Sequence, residues 1–567
     1  MTDLLKNRKP VFRAILFLLS FGLFWFIYLP QAFSHDEGKQ AVTGTSQEAP
    51  LLEGLFALDF PITTDSKEAQ AYFNQGLVLT YGFDHADAEV SFLEAAKHDP
   101  ENAMAYWGVA FVLGPNINAP MEDTDVPRAY SMAQKALSLA DQASDRERAL
   151  INALATRYSP EPVADRSRLD QDFATAMGQV YQRYPDDPDI AVMYAESLMD
   201  LHPWDYWTED DQAQPWTVEI ETILKKVVVN HPRHPHGHHL YIHLMENSPR
   251  PEDAIKSADL IRTLAPASGH LVHMAGHAYY AAGLYHDCSL INEKAIEVDK
   301  VLSATFDTSG LYQVGYMPHN LHFLLASYMM EGRSREAVEV AKALASGIDP
   351  SKMRQPDLGA LQLYYSTPYY TLVRFGRWSR ILDEPAPPAD LKFPTGMWHY
   401  ARGMAYTRKG KVDMAEAELM QLKAIAVAPE LSTIKVWGLN RLSSLLAIAV
   451  EVLSGEIAAQ RGEVETAIAH LKRGVDLEER LIFDEPPPWY FPVRQALGAR
   501  LLDHGDAAEA EAVYRKDLLK NAENPWSLYG LTQSLKAQGK TDLAADTEKR
   551  FRRAWARADV VMPRSIF

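Results

Sequence analysis

Histidine recurs at a helical spacing in the middle of this chain. The spacing i, i+3, i+7 occurs twice, 34 residues apart, and a third copy begins further along. The eight histidines are His236, His239 and His243, then His270, His273 and His277, then His319 and His322. Residues at this spacing fall within roughly 60° of one another around an α-helix. Each set therefore predicts a stripe of imidazoles on one face of one helix.

Clustered neutral imidazoles form a nitrogen-rich ligand set for transition metals. Helices pack about 8–10 Å apart, so imidazoles from neighbouring helices can share an ion at bond lengths of about 2.0–2.1 Å. Imidazole suits copper, iron, zinc and nickel, and the single cysteine, Cys288, provides no thiolate cluster. All eight histidines are predicted metal ligands. We favour copper or iron, with zinc as a further candidate.

Two other residues share the register of the histidines. Glu246 follows His243 by three residues and lies on the same predicted face. It is a candidate metal ligand, bridge between two ions, or base for a metal-bound water. Tyr280 occupies the equivalent place 34 residues later, as a candidate hydrogen-bond donor or redox-active phenol. Both are predicted catalytic residues.

Three interpretations of the histidines stay open. The favoured one is metal binding. The second is a polar lining for a peptide-binding groove, and the third is packing in which the rings bond to backbone carbonyls. Internal duplication explains a recurrence at 34 residues, but it does not explain why three separate positions stayed histidine.

The elements that must position these side chains repeat with a period of 34 residues. In the first clear unit, residues 71–100, aromatic, small and proline residues stand at the offsets Tyr72, Gly76, Ala88, Phe92, Ala95 and Pro100. This pattern resembles the tetratricopeptide repeat (TPR) family. The resemblance implies an all-α solenoid of helical hairpins in a right-handed superhelix. In this chain we expect an N-terminal signal or anchor helix before the solenoid. It also implies that positions 2, 5, 9 and 12 of each first helix line a concave groove.

The histidines fall on those groove positions. With repeats starting at residues 235, 269 and 318, they occupy positions 2, 5 and 9 twice and then positions 2 and 5. Blocks such as GHLVHM (269–274) and PHNLHFLLASYMMEGR (318–333) also resemble exported bacterial TPR proteins of unknown function with a His-rich central region. That resemblance covers most of residues 66–345 and supplies no activity and no site residues.

The first 34 residues predict export. Basic residues precede the apolar run AILFLLSFGLFWFIYL (14–29), and Ala32-Phe33-Ser34 offers small residues at a cleavage site. A cleaved signal peptide is favoured over an uncleaved membrane anchor. Either places residues 35–567 outside the cytoplasm, periplasmic or held to the cytoplasmic membrane through the N-terminal segment alone.

Composition and turn signals complete the organisation. The chain has 567 residues and a formal charge of −19, with no basic run in its body, which disfavours nucleic acid as a partner. We expect a flexible leader (35–65), a TPR array with the His-rich groove (66–380), a proline-rich connector (381–395) and a C-terminal TPR array (396–567).

Three functions agree with this sequence. The first is a metalloenzyme, of oxidoreductase or oxygenase type. The second is a periplasmic TPR scaffold that binds a protein segment. The third is a metal-handling protein without catalysis. A protein segment or a small molecule is the expected ligand of the groove.

Overall fold

Successive helices pair as hairpins along the described chain, which comprises residues 49–55, 58–208, 210–306 and 310–567 of a computed structural model. The predicted export segment lies outside the described residues. Within the described ranges the α-helices are α1 Lys67–Tyr81, α2 His85–His98, α3 Ala103–Val112, α4 Val126–Leu139, α5 Asp145–Ala155, α6 Ser167–Arg183, α7 Pro188–Asp200, α8 Thr217–Asn230, α9 Pro235–Met245, α10 Ile255–Leu264, α11 Gly269–Ala281, α12 Tyr285–Thr305, α13 Met317–Glu331, α14 Ser334–Gly347, α15 Gly359–Tyr365, α16 Thr367–Arg374, α17 Trp378–Asp383, α18 Lys392–Arg408, α19 Val412–Ala426, α20 Leu442–Gln460, α21 Val464–Glu478, α22 Val493–His504, α23 Ala507–Lys520, α24 Pro525–Ala537 and α25 Thr541–Ala554.

Strand structure is confined to one small hairpin within the described ranges. Its strands are β1 (Lys435–Val436) and β2 (Asn440–Arg441), which pair antiparallel. Short 3₁₀ turns, such as Pro251–Ala254, separate some helices, and a π-helical turn spans Tyr312–Tyr316. The predicted all-α, helical-hairpin fold is confirmed.

Small residues at the predicted offsets let the helices approach closely. The buried ring of Phe92 on α2 lies against Gly76 on α1 and Gly108 on α3. A Cβ atom at Gly76 would come within 2.8 Å of that ring, closer than van der Waals contact allows. Tyr514 is enclosed by two glycines in the same way near the C-terminus. The 34-residue pattern is therefore a packing pattern, in which glycine makes room for a ring from the next helix.

The three histidine-bearing helices are neighbours. Helix α9 contacts α11, and α11 contacts α13, while α10, α12 and α14 pack behind them. They begin at Pro235, Gly269 and Met317, within one residue of the predicted repeat starts. The imidazole of His234 caps α9 by accepting a hydrogen bond from the backbone N–H of Gly237, at 3.0 Å.

The core has two hydrophobic clusters. One extends from Ala49 to Phe323, and the other from Tyr285 to Ile566. In its described part, the predicted leader packs on α1, with Phe60 fully buried. Helix α20 is long and apolar enough to cross a membrane, but 67% of its apolar window is buried inside the protein, as expected of a core helix. The predicted domain boundaries stay predictions.

Candidate metal centre

Six of the eight predicted histidines form two groups, in each of which one ligand nitrogen per ring lies within 4.8 Å of the others. All six side chains are buried, with at most 9% of the residue exposed. The first triad consists of His239, His243 and His270; the second triad consists of His273, His277 and His319.

The stagger of successive repeats decides which positions meet. Position 5 of one helix faces position 2 of the next: His239 meets His270, and His273 meets His319, each with ring centroids 5.0 Å apart. His277, at position 9 of α11, then completes the second triad. Each triad therefore consists of the histidines at positions 5 and 9 of one helix and the histidine at position 2 of the next histidine-bearing helix.

Protein acceptors fix the tautomers of two rings. The Nδ1 atom of His239 lies 2.7 Å from the carbonyl oxygen of Tyr81, and Nδ1 of His273 lies 2.6 Å from Oδ1 of Asn292. The amide of Asn292 is itself oriented, because its Nδ2 donates to the carbonyl of Cys288 at 2.8 Å. Both oxygens can only accept, so each Nδ1 carries the proton and each Nε2 presents a lone pair. Metal-binding histidines are commonly held in this way.

A buried carboxylate links the two triads. One oxygen of Glu246 lies 2.7 Å from Nδ1 of His243, and the other lies 2.7 Å from Nδ1 of His277. A second carboxylate, Glu485, lies 2.7 Å from the same Nδ1 of His277. The four residues also form a group that could hold a metal ion. Glu246 thus contacts the Nδ1 atom of one histidine from each triad, which leaves their Nε2 atoms available to a metal ion.

The Nε2 atoms converge at distances that suit metal ligands. They are 3.3 Å apart for His239 and His270, 3.4 Å for His277 and His319, and 2.7 Å for His273 and His277. With bonds of about 2.0–2.1 Å, tetrahedral ligands are about 3.3–3.4 Å apart and ligands at right angles about 2.8–3.0 Å apart. The first two pairs match a tetrahedral edge, and the third is close to a right-angled one.

Burial keeps these rings neutral. It lowers the pKa of His277 well below its usual value, and it lowers the pKa of His273 to about 4. Nε2 of His273, which presents a lone pair, lies 2.7 Å from Nε2 of His277. The two nitrogens form a hydrogen bond when His277 carries its proton on Nε2, and both can bind one cation when that proton is on Nδ1. Burial also raises the pKa of Glu246 well above its usual value, and that of Glu485 to about 7.

Besides Glu246, three predicted site residues lie outside both triads. His236 stacks on Tyr81 with ring centroids 4.4 Å apart. His322 lies 3.1 Å from the hydroxyl of Tyr370, measured from Nε2. Tyr280 packs edge-on against a phenylalanine rather than against a triad histidine. Their predicted roles as metal ligands or catalytic residue stay predictions.

A cavity of about 320 Å³ opens onto both triads. Its wall includes His243 and His270 from the first triad, and His277 and His319 from the second. Glu485 lines the same cavity. An ion held by either triad would therefore face space large enough for a small molecule.

Sequence reasoning missed the residues that come from distant segments. Glu485 belongs to a proline-rich stretch (484–492), and the composition of that stretch by itself predicts a rigid connector or a loop over the groove. The carbonyl of Tyr81 and the aromatic ring of Phe83, which lies 4.6 Å from that of His239, come from the turn between the two helices of the first repeat. No spacing in the sequence links these residues to the histidines.

Comparison with known proteins gives only distant likenesses. No protein-family model matches this chain, and no curated protein is similar to it in sequence. Among solved structures, the human IFIT1 dimer with m7Gppp-AAAA is 12% identical with a TM-score of 0.32, covering 87% of this chain and 91% of that one. The human IFIT1 dimer with PPP-AAAA is 10% identical with a TM-score of 0.32, covering 86% and 91%. Likenesses at this level say nothing about ligands or function here.

Proposed function

We propose that this protein is a metalloenzyme of the oxidoreductase or oxygenase type, with a centre of two transition-metal ions held by the two histidine triads. The observation that carries the proposal is the gathering of six buried imidazoles into two triads, in each of which one ligand nitrogen per ring lies within 4.8 Å of the others. Buried imidazole nitrogens at such distances are a typical ligand set for a transition-metal ion.

Copper or iron fits the donor set best. Each triad offers three neutral imidazole nitrogens, and the only cysteine of the chain, Cys288, is not in either triad. Either metal would supply one-electron redox chemistry at the wall of the cavity. Zinc binds the same donors, and for zinc the class of reaction would be metal-assisted hydrolysis.

The protein's own groups have separate roles in this proposal. Glu246 orients His243 and His277 by accepting a hydrogen bond from each Nδ1, so we assign it as a positioning residue rather than as a base. Glu485 lines the cavity and lies beside the same ring, which makes it the better placed carboxylate for moving a proton to or from a substrate.

The cavity favours catalysis over metal storage. A storage site is closed by protein ligands, whereas a catalytic site keeps a coordination position open to substrate. Here four triad histidines line the cavity. The burial of all six rings also disfavours a scaffold role, because an open peptide-binding groove would leave them exposed.

Two variants of the full-length protein, prepared without a histidine tag, test this proposal. The double variant His273→Ala/His277→Ala should lose at least one bound ion per chain, measured by elemental analysis, while circular dichroism shows an intact fold. The matched control is His236→Ala/His322→Ala, which removes two buried histidines outside the triads and should keep the metal.

Metal-free wild-type protein with an intact fold, or equal metal loss in both double variants, would contradict the proposal. Addition of azide separates catalysis from storage. A change in the electron paramagnetic resonance spectrum indicates an open position, and an unchanged spectrum supports metal handling without catalysis.

The cellular setting is part of the same proposal. The basic and apolar N-terminal segment supports export, with residues 35–567 outside the cytoplasm, and the acidic charge of −19 supports a partner other than nucleic acid. Cell fractionation and N-terminal sequencing of the native protein test the location and the cleavage site together.

A further inference from the structure

Three aromatic residues around the histidines have left-handed backbone conformations. The φ angle is 56° at Phe83, 63° at Trp204 and 49° at Trp437. Among the described non-glycine residues only Asp211 and Glu523 share this conformation. Bulky residues rarely adopt it, and such strain persists mainly where function requires a side chain at that place.

Trp437 stands where a glycine or asparagine is ordinarily found. It follows β1 in a tight turn closed by a 2.9 Å hydrogen bond from the N–H of Leu439 to the carbonyl of Val436. Both central residues, Trp437 and Gly438, have positive φ, which defines a type I′ turn. Its indole packs over Gly315, where a Cβ atom would come within 2.8 Å of the ring. The turn conformation does not favour tryptophan at this position, so we attribute the residue to the place that its ring occupies against Gly315.

The two tryptophans reach the two triads from different segments of the chain. Trp204 packs edge-on against His243 of the first triad, with ring centroids 5.2 Å apart. Trp437 packs edge-on against His319 of the second triad at 6.3 Å. Both indoles line the cavity, together with Phe483. The cavity therefore has aromatic walls beside each proposed ion.

Two carboxylate oxygens of the cavity residues lack a partner. Oδ1 of Asp200 and Oδ2 of Asp484 are buried and accept no hydrogen bond within the described protein. The Asp200 side chain is only 5% exposed, and its other oxygen is held by Arg157 at 2.7 Å. Among described residues, Arg166 is the only lysine or arginine that lines the cavity, and it already binds Asp170 at 2.8 Å. Among the described residues, the cavity thus offers two carboxyl oxygens that are open to a ligand and no unpaired cation.

We propose that Trp204 and Trp437 clamp a flat aromatic compound that carries hydroxyl or amino groups, which donate to Asp200 and Asp484. The inference rests on the proposed function in that this compound is the substrate of the metal centre. A volume of about 320 Å³ suits a compound with one or two rings. An aromatic carboxylate is disfavoured because Arg166, the one lysine or arginine among the described residues of the cavity wall, is already paired.

Tyramine is the probe, and calorimetry measures its binding to the full-length protein with and without metal. We expect binding in both forms. We expect at least tenfold weaker binding of 4-hydroxyphenylacetate, which replaces the aminomethyl group with a carboxylate, and of 2-cyclohexylethylamine, which lacks both the aromatic ring and its hydroxyl group. Equal affinity for the three compounds, or no binding of tyramine, overturns the inference.

Glycine variants separate a clamp from a structural role. Trp204→Gly and Trp437→Gly each remove an indole and relieve the backbone, so each should weaken tyramine binding about fivefold to tenfold while the Tm stays the same or rises. Asp211→Gly is the matched control, since it relaxes a left-handed residue outside the cavity and should leave tyramine binding unchanged. If the tryptophan variants unfold, Trp437→Phe, which keeps a smaller ring, should still weaken binding measurably.

The two proposals fail in different ways. Tryptophan-dependent tyramine binding by a natively expressed protein that takes up no metal would refute the metalloenzyme and support the aromatic site. If the protein holds stoichiometric metal but neither tryptophan substitution changes its affinity for tyramine, the clamp is refuted and the metalloenzyme proposal stands.

Discussion

Replacement of Glu246 by glutamine should weaken metal binding without disturbing the fold. In the metal-bound protein that we propose, Nδ1 of His243 and Nδ1 of His277 each carry a proton, and the two carboxylate oxygens of Glu246, each 2.7 Å from one Nδ1, accept from both. A glutamine of the same shape has one acceptor oxygen, so its NH₂ group must face the other Nδ1–H donor to donor. One ring of one triad then loses the contact that holds its Nε2 toward the ion.

The magnitude follows from the effect of such outer contacts. Loss of a hydrogen bond to a metal-binding histidine costs about 10–100-fold in metal affinity, which is about 1.4–2.7 kcal/mol. A protein that was stabilised by metal at 1,000 times its Kd would lose up to about 2.7 kcal/mol of that stabilisation. Glu246→Gln should therefore unfold like the wild type when metal-free, but at a lower temperature when metal-loaded.

Chelator competition and calorimetric unfolding measure the two quantities. Glu331→Gln is the matched control, since Glu331 is also buried and accepts from Ser289 at 2.6 Å, but it does not contact a triad. The reasoning is refuted if Glu246→Gln binds both ions as tightly as the wild type, or if Glu331→Gln shows the same loss.

Two further predictions concern the fold. Burial raises the pKa of Glu478 to about 8, so the contribution of this group to stability is full below its unfolded pKa near 4.5 and is lost as the pH rises to 8. Glu478→Gln should therefore flatten the decline of stability with pH, measured by chemical denaturation between pH 5 and 9. An unchanged profile would contradict the burial effect. Gly108→Ala should cost about 1–3 kcal/mol, since its Cβ atom would overlap a buried ring. Gly347→Ala, where the Cβ atom meets nothing, should instead stabilise by about 0.5–1 kcal/mol, so equal effects of the two substitutions would refute the packing account.

The sequence determines where the triads lie because repeats impose a register. Helices α9, α11 and α13 begin within one residue of the predicted starts, and position 5 of each helix faces position 2 of the next. This stagger also explains the two histidines outside the triads. His236 has no histidine beside it on the preceding repeat, where Glu196 stands 3.1 Å away. Nε2 of His322 lies 3.1 Å from the hydroxyl oxygen of Tyr370 on α16 and not beside a triad histidine.

The rest of the site depends on contacts between distant segments. Glu485 approaches His277 across 208 residues of chain, and the indole of Trp437 approaches its triad from a hairpin more than 100 residues away. Neither contact leaves a periodic signal, because each arises from the way the later repeats and loops fold back over the histidine helices. Proline-rich composition near residue 485 indicates a loop, but it does not indicate what the loop covers.

Anomalous diffraction from crystals of the natively expressed protein tests the central claim most directly. Data collected at the absorption edge of the metal found by elemental analysis should show two peaks, one bounded by the Nε2 atoms of each triad. Crystals of folded protein with no anomalous peak at either triad, or with peaks only at surface residues, would contradict the account.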